Sequence, residues 1–214
     1  MSGAGCGMAV RTVKAGGLAR LLRMGGLALV AIALSGCAAA LLGGGATVGV
    51  TAAQERSVGN ALDDTTTHTE INSRLLQKSQ TLFSHVGVTV VEGRVLLTGF
   101  VPSEDDRAEA VKIAWSVNGV KDVLNELQVG EGGGIGSYSK DSWITAQLRG
   151  KLIGDADVLD INYNITTVNK VIYLMGIAQD QAELDRVINH ARNIAGVTKV
   201  VSHVLLKNDP KRQA

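Results

Sequence analysis

Four histidines (His68, His85, His190, His203) and two cysteines (Cys6, Cys37) are the side chains of this 214-residue sequence best suited to ligate a metal or attack an electrophile. The histidines fall in no HxxxH or HExxH pattern and have no cysteine partner, so they read as scattered surface or helix-end residues and not as metal ligands. Glu104-Asp105-Asp106 sets three carboxylates side by side, but at the expected start of a helix, where the positive end of the dipole favours acids. Residues 130–136 are glycine-rich without a following Lys-Ser or Lys-Thr pair, which makes them a linker and not a phosphate loop. No nucleophile and base can be paired, so the chain is expected not to be an enzyme, with no catalytic residue, metal or cofactor. The remaining chemistry lies at Cys37, a thiol preceded by Leu34-Ser35-Gly36 at the end of an apolar run.

The context of Cys37 is that of a secretory signal. Arg11, Lys14, Arg20 and Arg23 precede the apolar stretch Met24 to Leu34, and small residues follow. Leu34-Ser35-Gly36-Cys37 resembles the lipobox of bacterial lipoproteins, which implies cleavage before Cys37 and acylation of its thiol and new amino terminus. Several acyl chains anchor durably where one does so only marginally. The uncharged stretch from Met24 to Ala53 is also long enough for an uncleaved spanning helix, although Gly36 and Gly43-Gly44-Gly45 interrupt it. A plainly cleaved signal is the third reading. Removing residues 1–36 leaves 17 basic and 20 acidic side chains, so the formal charge moves from +1 to −3. A basic excess able to follow nucleic-acid phosphates is therefore missing, and no nucleic-acid partner is expected. Cys6 is lost with the signal, so no pair remains for an internal disulfide.

Seven aromatic residues are few for one large core, and the chain instead repeats itself. Residues 86–129 align with 163–206 at an offset of 77, with Val91 on Val168, Leu97 on Leu174, Gly99 on Gly176, Ala114 on Ala191 and Gly119-Val120 on Gly196-Val197. Upstream, Ile71 on Ile144 and Leu75 on Leu148 give an offset of 73, which predicts a loop four residues longer after the first helix of the second unit. Each unit reads as α-β-β-α-β. Hairpins turn at Glu92-Gly93-Arg94 and Asn169-Lys170, and Ser103 and Asp180 cap the second helices with Asp106 and Glu183 three residues on. Gly119 and Gly196 stand where positive φ is wanted after a helix. Strand, crossover helix and strand on one sheet should be parallel. The fold class is thus α+β, each unit a three-stranded mixed sheet with two helices on one face.

The hairpins ending in Leu97-Thr98-Gly99 and Leu174-Met175-Gly176, the capped helices after them, and the closing Asn118-Gly119-Val120-Lys121-Asp122-Val123 and Ala195-Gly196-Val197-Thr198-Lys199-Val200 resemble the BON domain, a small bacterial envelope module. With the lipobox, Arg56-Ser57-Val58-Gly59 before the first unit and Ser142-Trp143-Ile144-Thr145 in the second, the whole chain resembles dual-BON lipoproteins. The expected organisation is a signal peptide at 1–36, a lipidated N-terminus and flexible tether at 37–65, a first domain at 66–130, a Gly-rich linker at 131–139, a second domain at 140–207 and a tail at 208–214. The resemblance implies an outer-membrane lipoprotein facing the periplasm that binds anionic phospholipid and supports envelope integrity. Ala38, which is not Asp, follows the acylated cysteine and is consistent with outer-membrane sorting under the enterobacterial rule.

Comparison of the two units points to one surface. At about 100° per residue, Ile144, Leu148 and Leu152 form the core face of the second unit's first helix, with Trp143, Ala146, Gly150 and Ile153 opposite. Under the offset of 73 their counterparts are Glu70, Ser73, Gln77 and Gln80, all polar. Tyr138, Lys140, Arg149 and Lys151 surround the apolar stripe, a composition suited to a membrane interface with anionic headgroups. The same stripe would also suit packing against the first unit or the linker, or an envelope protein bound by a lipid-anchored adaptor. Trp115, with Arg192 as its counterpart, is a second candidate contact.

Overall fold

The computed structural model describes residues 55, 57–130, 132 and 135–212. Cys6, Cys37, the signal stretch and residues 38–54 lie outside them. The first repeat runs α1 (Val58–Lys78), α2 (Gln80–His85), β1 (Val86–Val91), β2 (Arg94–Val101), α3 (Glu104–Trp115) and β3 (Asp122–Val129). The second runs α4 (Ile135–Ile153), a 3-10 turn (Asp160–Asn162), β4 (Tyr163–Val168), β5 (Val171–Ala178), α5 (Gln181–Arg192), β6 (Lys199–Ser202) and β7 (Leu205–Leu206), and a final 3-10 turn spans Pro210–Arg212. In each repeat the middle strand pairs antiparallel with the strand before it and parallel with the one after the crossover helix. The mixed sheet is therefore as anticipated, with its helices packed on one face through Ile71, Leu75, Val95, Leu97 and Ala114 in the first repeat and Leu148, Leu152, Ile172, Leu174 and Ala191 in the second.

The local signals that build each repeat are the expected ones. Glu92-Gly93 and Asn169-Lys170 have positive φ at both positions, the two-residue turn whose twist matches the flanking strands. Ser103 Oγ and the Asp180 carboxylate accept from the amides of Asp106 and Glu183 and so cap α3 and α5. Gly119 and Gly196 do have positive φ, four residues beyond the helix ends. Gly99 (φ 121°) and Gly176 (φ 152°) close the hairpin motifs because a Cβ there would stand 2.0 Å from the carbonyl oxygen of His85 and Asn162 respectively. Only glycine lets the chain entering the sheet run this close to the middle strand.

Three expectations are corrected. The offset of 73 over the first helix is one turn out of register. Asp64 accepts from the turn amides of Glu92 and Gly93 at 2.8 and 2.9 Å, and Asp141 accepts from those of Asn169 and Lys170 at 2.7 and 2.8 Å. Thr67 contacts the position of a Cβ on Gly119, and Ile144 does so at Gly196. Asp64 thus matches Asp141, Thr67 matches Ile144, Ile71 matches Leu148 and Leu75 matches Leu152, so 77 holds throughout and the second repeat has no longer loop. Second, α1 begins at Val58 and α4 at Ile135, so helix occupies ground assigned to the tether and the Gly-rich linker. Third, the last strand of the second repeat, expected over 197–206, is interrupted at His203, whose carbonyl accepts from Arg94 Nη1 of the first repeat at 3.0 Å.

Each sheet would leave its helix-free face in water, and the two repeats remove that exposure by covering one another. Val91 and Leu96 of the first pack with Tyr173 and Met175 of the second, flanked by Leu124, Val168, Val171 and Val201. Polar links rim this seam. Gln128 donates to Tyr173 Oη at 3.3 Å, and His203 Nε2 lies 2.9 Å from Glu126 Oε1. Arg212, from the stretch read as a tail, grips both carboxylate oxygens of Glu92 at 2.8 Å, with both side chains largely buried. This fork raises the pKa of Arg212 above its usual value.

Two substitutions test this account. Gly99→Ala should destabilise by more than about 3 kcal/mol in urea unfolding, since it adds positive-φ strain to a backbone clash. Arg212→Ala should cost about 2 kcal/mol by leaving Glu92 unpaired at the seam, while Arg212→Lys, which keeps the charge but loses the fork, recovers only part of it.

Candidate membrane-facing surface

The candidate surface is the outer side of α4, whose orientation is set by Ile144, Leu148 and Leu152 in the core and by the Asp141 clasp on the β4–β5 turn. Opposite these, Trp143 is 67% exposed and Ile153 65%. Ala146 and Gly150 are exposed between them, and a Cβ at Gly150 would meet nothing within 4 Å. The stripe is thus a solvent-facing ridge with a shallow gap at Gly150. It takes no part in the contact between the repeats, which is made by the sheets.

The surrounding residues divide between the two flanks. Helical periodicity puts Lys140 and Lys151 within about 20° of each other, next to Trp143, and both are exposed. Tyr138 and Arg149 share the other flank, with Tyr138 about 140° from Trp143 around the helix. Tyr138 is 76% exposed and borders a groove of about 350 Å³ shared with His85, Gly99, Phe100 and Gly132. Arg149 is partly buried, its Nη1 donating to the carbonyls of Tyr163 at 3.2 Å and Asp160 at 3.4 Å, so it braces α4 against the strand entry. Trp143, Ala146, Gly150 and Ile153 therefore form the ridge, Lys140 and Lys151 flank it on the Trp143 side, and on the Ile153 side Arg149 is engaged by the two carbonyls and Tyr138 faces the groove.

The corrected register changes the contrast between the repeats. The true counterparts of Trp143, Ala146, Gly150 and Ile153 are Thr66, Thr69, Ser73 and Leu76, and Leu76 is 50% exposed. The first repeat remains hydrophilic at the three other places, and α4 alone carries an aromatic there. Trp115, on the outer side of α3, is 51% exposed.

The histidines occupy separate places. His190 pairs with Asp155 at 2.7 Å, holding that carboxyl below its usual range, and His203 lies in the seam. His68 contacts Asn72, and His85 contacts Ser84 and the Thr81 carbonyl. Burial raises the pKa of the Tyr163 hydroxyl, which lies in the core of the second repeat and away from the α4 surface. Among the described residues no helix is long and apolar enough to cross a membrane.

The seam residues Leu96, Tyr173, Met175, Arg94 and Arg212 were not singled out from the sequence. The available signal was in β2 and β5, where Val95-Leu96-Leu97 and Val171-Ile172-Tyr173-Leu174-Met175 are apolar without alternation, the pattern of a strand covered on both faces.

The BON domain matches this chain twice, over residues 63–131 and 140–208. An uncharacterized protein in the gshII 5′ region of Anaplasma centrale is 41% identical over 153 residues, covering 71% of this chain and all of that protein. The outer membrane lipoprotein DolP of Haemophilus influenzae is 35% identical over 172 residues, covering 79% of this chain and 88% of the relative. Osmotically-inducible protein Y of Escherichia coli is 31% identical over 156 residues, covering 72% and 75% respectively. Two like-folded units, each with its hairpin, capped crossover helix and glycine close approach, thus coincide with the two matched segments, and the chain belongs to the BON domain family.

Proposed function

We propose that the chain is an outer-membrane lipoprotein facing the periplasm, anchored by acyl-Cys37, whose second BON domain meets anionic phospholipid through the outer side of α4 and so supports envelope integrity. The similarity to a protein named as an outer membrane lipoprotein supports the location. The observation that carries the lipid contact is the exposed ridge from Trp143 to Ile153, flanked on its Trp143 edge by Lys140 and Lys151 and left uncovered by the pairing of the repeats. An indole at such a rim settles at headgroup depth, and each lysine near an anionic surface contributes about 1 kcal/mol. Two lysines cannot hold the body alone, and the net charge of −3 after signal removal opposes general attraction. The contact is therefore local and oriented, and confinement by the lipid anchor makes a weak contact effective.

A second reading, a lipid-anchored adaptor for envelope proteins, is favoured by Trp115, exposed on a different helix. Flotation of a soluble fragment of residues 54–214 with vesicles separates the two. Binding to phosphatidylglycerol and not to phosphatidylcholine, reduced about ten-fold by Trp143→Glu but unaffected by Trp115→Glu, is the expected outcome. Undiminished binding of Trp143→Glu would remove the α4 site, and absence of binding to either lipid would favour the adaptor. At the anchor, Cys37→Ser should abolish both signal cleavage and incorporation of labelled fatty acid. Persistent labelling would mean a different anchor.

A further inference from the structure

Glu55 is followed within three residues by α1 of the first repeat, yet its contacts are with the end of the second. Its amide donates to Asn162 Oδ1 at 3.0 Å, its carbonyl accepts from Arg212 Nη2 at 3.1 Å, and its carboxylate lies 3.0 Å from Lys207 Nζ. The main chain and the side chain of this one residue are thus held by three groups more than a hundred positions away. The hydrogen bond from Lys207 holds the Glu55 carboxyl below its usual range. Asn162 is buried and lies between Asp160 and Tyr163, whose carbonyls take the Arg149 guanidinium of α4.

Resting on the reading of an acylated Cys37 and a lipid-facing α4, we propose that the second repeat carries a docking site for the lipid tether, formed by Asn162, Lys207 and Arg212 around Glu55. The anchor then leaves the body beside the Arg149 flank of α4, and not from the first repeat to which the next residues belong. At full stretch the 18 residues from Cys37 to Glu55 reach at most about 60 Å. An exit point beside α4 puts the fixed end of the tether next to the helix that carries the Trp143 ridge. Without this clasp the residues before α1 would join the tether, and its fixed end would no longer be held beside α4.

The test uses the acylated chain. Hydrogen–deuterium exchange in detergent should show the Glu55 amide exchanging about ten-fold slower than a free amide, with most of that protection lost in Lys207→Ala and Asn162→Ala. Lys207 is exposed, so its variant reports on docking even if Asn162→Ala disturbs folding. The same proteins, with Trp115→Phe so that Trp143 reports alone, are placed in phosphatidylglycerol vesicles containing brominated lipid. Quenching of Trp143 should fall about two-fold in Lys207→Ala, through loss of the oriented tether. An unprotected Glu55 amide in the parent would overturn the docking. A protected, Lys207-dependent amide with unchanged quenching would overturn its orienting role. If the amide is protected and Lys207-dependent while the parent shows no quenching, the docking is upheld and the lipid reading of α4 is what fails.

Discussion

The constraint on which the structure depends is that a three-stranded sheet with helices on one side has a second side with nothing to cover it. A unit of this size cannot leave Leu96 or Tyr173 and Met175 in water, and the second copy supplies the cover. Once the sheets face each other, the helices of both repeats must lie outward. The outer side of α4 is available to a partner for that reason, and the seam fixes its direction relative to the rest of the body. Arg94, Glu126, His203 and Arg212 then set the registration that apolar contact alone would leave loose.

Much of this was legible in the residues. The turns at Glu92-Gly93 and Asn169-Lys170, the caps at Ser103 and Asp180, and the closing glycines are local devices whose chemistry is confined to a few adjacent positions. The register of the first helix was not legible by the same means. Ile71 and Leu75 in one copy and Ile144, Leu148 and Leu152 in the other are apolar at steps of four, a pattern that maps onto itself when slid by one turn. What fixes the register is polar: Asp64 and Asp141 each bind a hairpin turn some 28 residues away, and Thr67 takes a core position that apolar pattern matching passes over.

The candidate surface was legible in its ridge and less so in its surroundings. Periodicity places Trp143, Ala146, Gly150 and Ile153 on one side of α4 whatever the alignment with the other repeat. It does not say whether a nearby cation is free, and Arg149 is engaged by two carbonyls that come from a turn and a strand. Nor does nearness in sequence make Tyr138 a neighbour of Trp143, since five residues carry the helix through 140°. The asymmetry between the repeats survives in reduced form, because Leu76 occupies the place of Ile153 while Thr66 occupies that of Trp143.

The stacking of helix, sheet, sheet and helix has a geometric consequence. With the sheets packed face to face, α1 and α4 lie on the opposite outer faces of the paired repeats. A partner that met α4 would therefore leave α1 and its row of hydroxyl side chains, Thr66, Thr69 and Ser73, on the far side. The two outer faces thus differ in kind, since α4 presents an indole where α1 presents Thr66, although Leu62 and Leu76 also stand exposed on α1.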